Sequence, residues 1–101
     1  MEKSSLTLRF ELMIVVNTKL TTEEKESIFA EAVEVVGKGG GKVINSKVWL
    51  ERQRFSFPIK KCAEGTYYLI NFQGESSVVG KIRSVLRLKE KILRFMIVSE
   101  E

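Results

Sequence analysis

The chain contains no histidine and only one cysteine. Without histidine it lacks the commonest general base and metal ligand, and with them every Ser-His, Cys-His and His-zinc site. The single thiol, Cys62, cannot form an internal disulfide, and it suits a reducing compartment such as the cytosol or an organelle matrix. We therefore expect no catalytic residue, no metal site and no cofactor.

Long hydrophobic runs are absent as well. The longest, Leu12–Val16, is far shorter than the roughly 20 residues of a membrane-spanning helix. No basic leader followed by an apolar stretch marks a secretory signal. The 101 residues are 44% hydrophobic and 30% charged, which is typical of a soluble globular domain. We expect one domain over 1–101, with a short leader at 1–7, a tail at 99–101 and no membrane partner.

Positive charge is concentrated in one quarter of the chain. Residues 1–37 carry four basic and seven acidic side chains, residues 38–61 carry seven and one, and residues 62–101 carry six and five. These net charges of −3, +6 and +1 sum to the overall +4. A local cationic excess attracts phosphate backbones, although a lysine-rich solvated surface gives the same pattern.

Alternating and helical hydrophobic patterns follow one another along the chain. Leu8 to Val16 alternate as in a strand, and Thr21 with Glu24 has the form of a helix capping box. Glycines at 37–41 end that helix. In chain order we predict a strand at 8–16, a helix from the capping box to the glycines, and an extended ribbon at 43–59. A turn at 62–65 and a strand at 66–72 follow. A second helix begins at 74–76 and ends at 86, and the last strand spans 92–98.

This order, β-α-β-β-α-β, predicts an α+β fold of the ferredoxin-like type. Two right-handed strand-helix-strand units interleave into a four-stranded antiparallel sheet with both helices on one face. The inward side of the ribbon changes between Leu50 and Phe55, which predicts a bulge near 51–53. Pro58 lacks an amide proton and therefore belongs at a sheet edge or a strand end.

One face of such a sheet is left without helices. Strand parity places apolar and aromatic side chains there, and we predict that a protein partner covers Met13, Val15, Tyr67, Leu69 and Met96. The alternation of the last strand puts Ile92 on the same side as Arg94. RNA-recognition domains of this topology stack bases on aromatics of their first and third strands. Thr66 and Asn71 stand where that signature has aromatics, so stacking on these strands is weakly supported.

Several stretches resemble the bacterial ribosomal protein S6 family. Phe10–Val16 resembles its opening strand, and Gly40–Val43 resembles its junction between the first helix and the second strand. Arg52–Lys61 is similar to the most distinctive run of the family, and Gly65–Tyr68 and Ile92–Val98 are similar to its third and closing strands. The resemblance spans nearly the whole chain at matching spacings.

The chain departs from the pattern of that family at five positions. Glu51 stands where the family has glycine, and Gln53 stands where it has arginine. Trp49 lies one position earlier than the usual tryptophan. Phe10 and Phe57 replace tyrosines. The exchanges at 51 and 53 change the RNA contacts expected there, where neighbouring arginines could supply the positive charge.

The resemblance implies a structural component of the small ribosomal subunit, without catalysis and without a small-molecule substrate, in the cytoplasm or an organelle matrix. Members of the family pair with ribosomal protein S18, and the pair binds the central domain of small-subunit ribosomal RNA at the platform. Together with the cationic segment, this indicates seven RNA-binding residues, Lys42, Lys47, Arg52, Arg54, Lys60, Lys61 and Arg94.

Two other functions share this topology. An ACT-like regulatory or dimerisation module would normally be fused to an enzyme, whereas this sequence ends with Ser99–Glu101 directly after its last predicted strand. An acylphosphatase-like enzyme needs an arginine in a glycine-rich loop after the first strand, and Asn17–Leu20 contains no glycine. The ribosomal role is the leading prediction, and the ACT-like module is the alternative.

Overall fold

A computed structural model describes residues 7–59 and 62–100, and it confirms the predicted order of elements. Lys60 and Lys61, both predicted to bind RNA, lie outside the described residues. The six elements are strand β1 (Leu8–Asn17), helix α1 (Thr22–Lys38), strand β2 (Lys42–Ile59), strand β3 (Cys62–Gly74), helix α2 (Ser76–Leu86) and strand β4 (Ile92–Glu100).

The four strands form one antiparallel sheet in the order β2-β3-β1-β4. Strand β1 therefore pairs with β3 on one side and with β4 on the other, while β2 and β4 form the edges. Pro58 lies in the edge strand β2, as predicted. The ferredoxin-like fold is confirmed.

The hydrophobic core lies between the sheet and the two helices. Side chains of every second residue of β1 and β3 meet side chains spaced by three or four residues on each helix. The buried side chains of this cluster are Phe10, Leu12, Ile14, Val16, Ile28, Ala32, Val36, Tyr68, Ile70, Phe72, Val78, Ile82, Leu86 and Ile92. Burying one large aliphatic side chain contributes roughly 1.5–3 kcal/mol, so this face holds the helices on the sheet.

Helix α1 is bounded by side-chain caps and glycines. The Glu24 amide donates to Thr21 Oγ1 at 3.1 Å, and the Thr21 amide donates to Glu24 Oε1 at 3.2 Å, which completes the predicted capping box. At the other end Gly40 has φ +104°, a conformation that favours glycine. A Cβ on Gly41 would lie 2.9 Å from Val36 Cγ1, so the chain enters β2 by passing close beneath the helix.

Two strand boundaries differ from the prediction. The predicted turn at 62–65 is wrong because β3 begins at Cys62, where it already pairs with Ile59 of β2. Strand β4 continues through Ser99 and Glu100, two residues into the predicted tail, since these residues pair with β1.

A register shift in β4 changes the side to which one residue points. Val15 pairs with Arg94, but Val16 pairs with Ile92, which leaves Leu93 as an extra residue. This irregularity turns Ile92 into the core, where it is buried. The parity expectation that Ile92 shares the helix-free side with Arg94 is therefore wrong.

Strands β2 and β3 extend beyond the rest of the sheet. Strand β1 pairs with β3 only from Gly65 to Gly74, so residues 53–59 and 62–64 project as a two-stranded extension, which we call the hairpin arm. The pairing of β2 with β3 is irregular between Leu50 and Gln53, as predicted, and it shifts at three further places that the sequence did not indicate. The arm contributes to a long axis of 50 Å, against 25 and 22 Å for the other two.

Two glycine substitutions test the local packing. A Cβ at Gly80, exposed in α2, meets nothing within 4 Å, so Gly80→Ala should raise the free energy of unfolding by about 0.5–1 kcal/mol. Gly41→Ala should lower it by about 1–3 kcal/mol because the new methyl presses on Val36 and Phe72. Urea titrations of both variants check the two signs, and equal effects would contradict this account.

The capping box should make stability depend on pH. Hydrogen bonds from the backbone and side chain of Thr21, and the charge of Lys91, hold the pKa of Glu24 below its ordinary value of 4.5. A depressed carboxyl pKa stabilises the fold above the unfolded-state pKa, and this contribution disappears as the pH falls through the folded-state pKa. Wild type should therefore exceed Glu24→Gln in urea midpoint at neutral pH, and the difference should shrink below pH 4.5. A difference independent of pH would contradict the prediction.

Candidate nucleic-acid and protein interface

The sheet face opposite the helices brings the predicted partner residues into two rows. Met13 of β1 lies between Leu69 of β3 and Met96 of β4 in the antiparallel register. Val15 lies in the same way between Tyr67 and Arg94. We call this surface the open face. The structure thus places all five predicted partner residues together on one side of the sheet.

Two of the five residues are nevertheless not available for contact. Val15 is only 1% exposed and Leu69 only 8% exposed. Phe55 of the hairpin arm covers Val15, since a Cβ built on Gly65 would lie 2.5 Å from Phe55 Cζ and 2.7 Å from Val15 Cγ1. Leu69 is flanked by Met13 on one side and by Lys47 on the other. The prediction that these two side chains present an exposed surface is wrong because the chain itself covers them.

Other apolar side chains remain exposed on or beside the open face. Met96 is 52% exposed, and Val98, two residues further along β4, is 41% exposed. Trp49 is half exposed, and Phe57 on the arm is 82% exposed. Val98, Trp49 and Phe57 are not among the predicted partner residues. Strand alternation could have placed Val98 on the same face as Met96. No sequence pattern indicated that Trp49 and Phe57 would be exposed there.

Aromatic rings gather where the arm meets the open face. Tyr67 makes an edge-on contact with Trp49 at 5.9 Å between ring centroids, and the Phe55 ring lies 6.4 Å from that of Tyr67. Between the arm and β4 runs a groove of about 350 Å³, which we call the arm groove. Its walls include Gln53, Arg54, Phe55, Phe57, Tyr67 and Arg94.

Three of the predicted RNA-binding residues lie on the open face and are exposed. The register places Lys47 opposite Leu69, Arg94 opposite Val15 and Lys42 opposite Gln73. Lys42 lies six residues along β3 from the Tyr67 row, which corresponds to about 20 Å at 3.3 Å per residue. The cations therefore follow the length of the sheet instead of forming one compact patch.

Arg52, next to the arm, and Arg54, within it, are placed differently. Arg52 Nε lies 3.3 Å from Glu64 Oε1, and Arg54 is the cross-strand partner of Glu64. This carboxylate offsets part of their positive charge, although the Arg52 side chain is 71% exposed and remains accessible to a phosphate. Arg54 borders grooves on both sides of the arm, including the arm groove.

Hydroxyl groups hold the base of the arm. The Thr66 hydroxyl, which is buried, donates to the Glu51 carbonyl oxygen at 2.6 Å, and the Thr18 hydroxyl donates to the same oxygen at 3.2 Å. This is the segment where the β2–β3 register shifts, so the two hydroxyls replace regular strand pairing. Glu51 takes part through its backbone, so these two hydrogen bonds do not depend on its side chain.

Two kinds of site are absent from the described part of the chain. None of its helices is both long enough and apolar enough to span a membrane. Within the same residues, no three side chains of histidine, cysteine, aspartate or glutamate are grouped to hold a metal ion. The notable surface is instead a bare sheet face with apolar side chains, edged by lysine and arginine.

The element order, the sheet and the bare face define a small ferredoxin-like α+β domain. The sequence profile described as Ribosomal protein S6 matches residues 9–99. The chain belongs to the ribosomal protein S6 family, whose members are proteins of the small ribosomal subunit.

Bacterial relatives support this membership over most of the chain. The small ribosomal subunit protein bS6 of Heliobacterium modesticaldum is 29% identical over 91% of this chain and 95% of its own length. The bS6 protein of Clostridium novyi is 32% identical over 91% of this chain and 96% of its own length. The family match favours the ribosomal prediction over the ACT-like and acylphosphatase-like alternatives.

Solved structures confirm the fold. The crystal structure of 30S ribosomal protein S6 from Thermotoga maritima has a TM-score of 0.83 at 20% identity, covering 94% of this chain and 89% of the other. The C-terminal domain of the MgtC protein from Mycobacterium tuberculosis has a TM-score of 0.62 at 7% identity, covering 100% and 95%. At these identities the likeness concerns the fold alone.

Removing the buried hydroxyl at the base of the arm should destabilise the protein. Thr66→Val keeps the shape of the side chain but leaves the Glu51 carbonyl without its shortest hydrogen bond, which should cost about 1–3 kcal/mol. Ser84→Ala is the control, because that hydroxyl donates to Gly80 on an exposed helix surface. Urea denaturation measures both, and equal small losses would show that the Thr66 bond does not hold the arm.

Proposed function

We propose that this chain binds the central domain of small-subunit ribosomal RNA at the platform, together with ribosomal protein S18, and has no catalytic activity. The protein acts as a ribosome-bound component in the bacterial cytoplasm, in keeping with its bacterial relatives. The observation that carries the proposal is the open face itself, which joins exposed apolar side chains to lysine and arginine at its margins.

The protein partner occupies the β4 side of the open face. Met96 and Val98 are exposed there, and the half-buried Met13 lies beside Met96 in the register. Methionine side chains are flexible and adapt to an apolar partner surface. Desolvating this patch supplies the apolar part of the binding energy for a protein partner.

The RNA occupies the basic margins. Lys42, Lys47, Arg54 and Arg94 are exposed cations, and Arg52 adds a further charge that is shared with Glu64. Lys60 and Lys61 extend the same segment in the sequence. The overall charge of +4 is modest, so attraction depends on where these cations lie and on the paired protein supplying further contacts.

Removing cations should lower the salt dependence of RNA binding. The variant Arg52→Gln, Arg54→Gln, Lys60→Gln, Lys61→Gln should bind the central-domain RNA more weakly in complex with ribosomal protein S18, with the salt slope falling by about one for each lost phosphate contact. Filter binding at several salt concentrations measures this slope. A matched variant of exposed cations on the helices, Lys38→Gln with Lys81→Gln, should leave the slope unchanged. Equal salt slopes for wild type and for the fourfold variant at 52, 54, 60 and 61 would overturn the RNA assignment.

A charge placed on the apolar patch should block the protein partner. Met96→Glu puts a carboxylate into a surface that must be desolvated, and we expect at least a tenfold rise in the Kd for ribosomal protein S18, equal to about 1.4 kcal/mol. Leu88→Glu is the control because Leu88 is also highly exposed but lies between α2 and β4, outside the open face. Calorimetric titration compares the two variants, and equal affinities would move the partner elsewhere.

A further inference from the structure

We infer that the arm groove holds one unpaired RNA nucleotide, whose base stacks on the aromatic wall and whose phosphate meets Arg94. The inference rests on the proposed RNA-binding function and specifies the form of the RNA. Phosphate contacts alone explain lysines and arginines along the sheet, but they give no role to the aromatic side chains in this groove.

The aromatic wall of the arm groove consists of Phe55, Phe57 and Tyr67, and packing of the core does not explain the exposure of Phe57. Phe57 is 82% exposed on the arm and borders the same groove as Tyr67 and Phe55. Phe55 packs over Gly65 and Val15, so Phe57 and the outer surface of Tyr67 remain available to a ligand. Every base presents a flat π surface, so exposed rings of this kind bind unpaired bases without a sequence requirement.

The register places a cation at the right separation from that wall. Tyr67, Val15 and Arg94 form one row across three neighbouring strands. Tyr67 and Arg94 are thus two strand spacings apart, about 10 Å. Phe55, which covers the buried Val15, borders the groove together with them. A nucleotide spans this distance with its base on Tyr67 and its phosphate on Arg94. Gln53, at the edge of the groove, carries an amide that can donate to and accept from a base.

The chemistry favours an unpaired nucleotide over a duplex. In a duplex the flat surfaces of the bases are stacked on one another, and side chains reach mainly phosphates and sugars. The charge favours RNA over a protein segment, because Arg54 and Arg94 both border the groove and no acidic side chain within 7–59 or 62–100 does. Thr66 and Asn71 stand where RNA-recognition domains have aromatics, so the stacking surface here consists of Tyr67 of β3 and Phe57 of the arm.

The test compares a short single-stranded RNA with the same RNA annealed to its complement, each binding the full chain at low salt. Phe57→Leu keeps an apolar side chain but removes the ring, and it should weaken single-strand binding about tenfold while leaving duplex binding unchanged. Leu88→Ala, at an equally exposed apolar position away from the groove, should change neither. Fluorescence anisotropy measures all six affinities, those of the three proteins for the two forms of the RNA.

Intrinsic fluorescence gives an independent readout. Trp49 is the single tryptophan of the chain and contacts Tyr67 edge-on. A base seated on Tyr67 should quench its emission, so single-stranded RNA should quench wild type more strongly than Phe57→Leu at saturation. The duplex should cause little change in either protein.

Three results would overturn the inference. The first is that Phe57→Leu binds single-stranded RNA as tightly as wild type does, or that wild type does not bind single-stranded RNA at all. The second is an equal loss for single strand and duplex, which would indicate phosphate contacts only. The third is a Phe57→Leu defect confined to the binding of ribosomal protein S18, which would make the groove a protein contact. In each case the salt-slope experiment decides separately whether the chain binds ribosomal RNA.

Discussion

Both helices of this protein pack on one side of a four-stranded sheet, and the rest of the structure depends on that constraint. Strand-helix-strand crossovers are right-handed as a rule, which returns two successive helices to the same side of the sheet. Here α1 and α2 bury a core that includes Phe72 of the sheet and Ile82 of α2. The other side of the sheet receives no helix. A surface such as that around Met96 is stable in water only when its apolar area stays small or a partner covers it.

The hairpin arm limits the bare area from within the chain. Because β2 and β3 extend beyond the end of β1, Phe55 of the arm can pack over Gly65 and bury Val15. The Thr66 hydroxyl holds the arm in this position through the Glu51 carbonyl. The same arrangement creates the groove that Arg94 borders on its far side. The arm thus covers the open face around Val15, and it does not cover the face around Met96, which stays exposed.

Much of this fold could be predicted from local patterns. The capping box at Thr21 and the glycine at position 40 mark the ends of α1 through interactions between near neighbours. Strand parity placed Met13, Tyr67 and Met96 on one side correctly, because alternation needs no knowledge of the partner strand. Parity failed at Ile92, where an extra residue in β4 reverses the side to which the chain points. It also could not show which open-face residues the arm would cover.

The sequence by itself determined the order of elements, the helix ends, the one-sided placement of the helices and the segment that carries the positive charge. These follow from periodicity, capping and crossover handedness, all of which act over short stretches. Only the tertiary structure decided that Val15 is buried, that Arg52 shares its charge with Glu64 and that aromatic rings line a groove beside Arg94. Such features depend on strand register and on contacts between residues far apart in the chain, which no local pattern encodes.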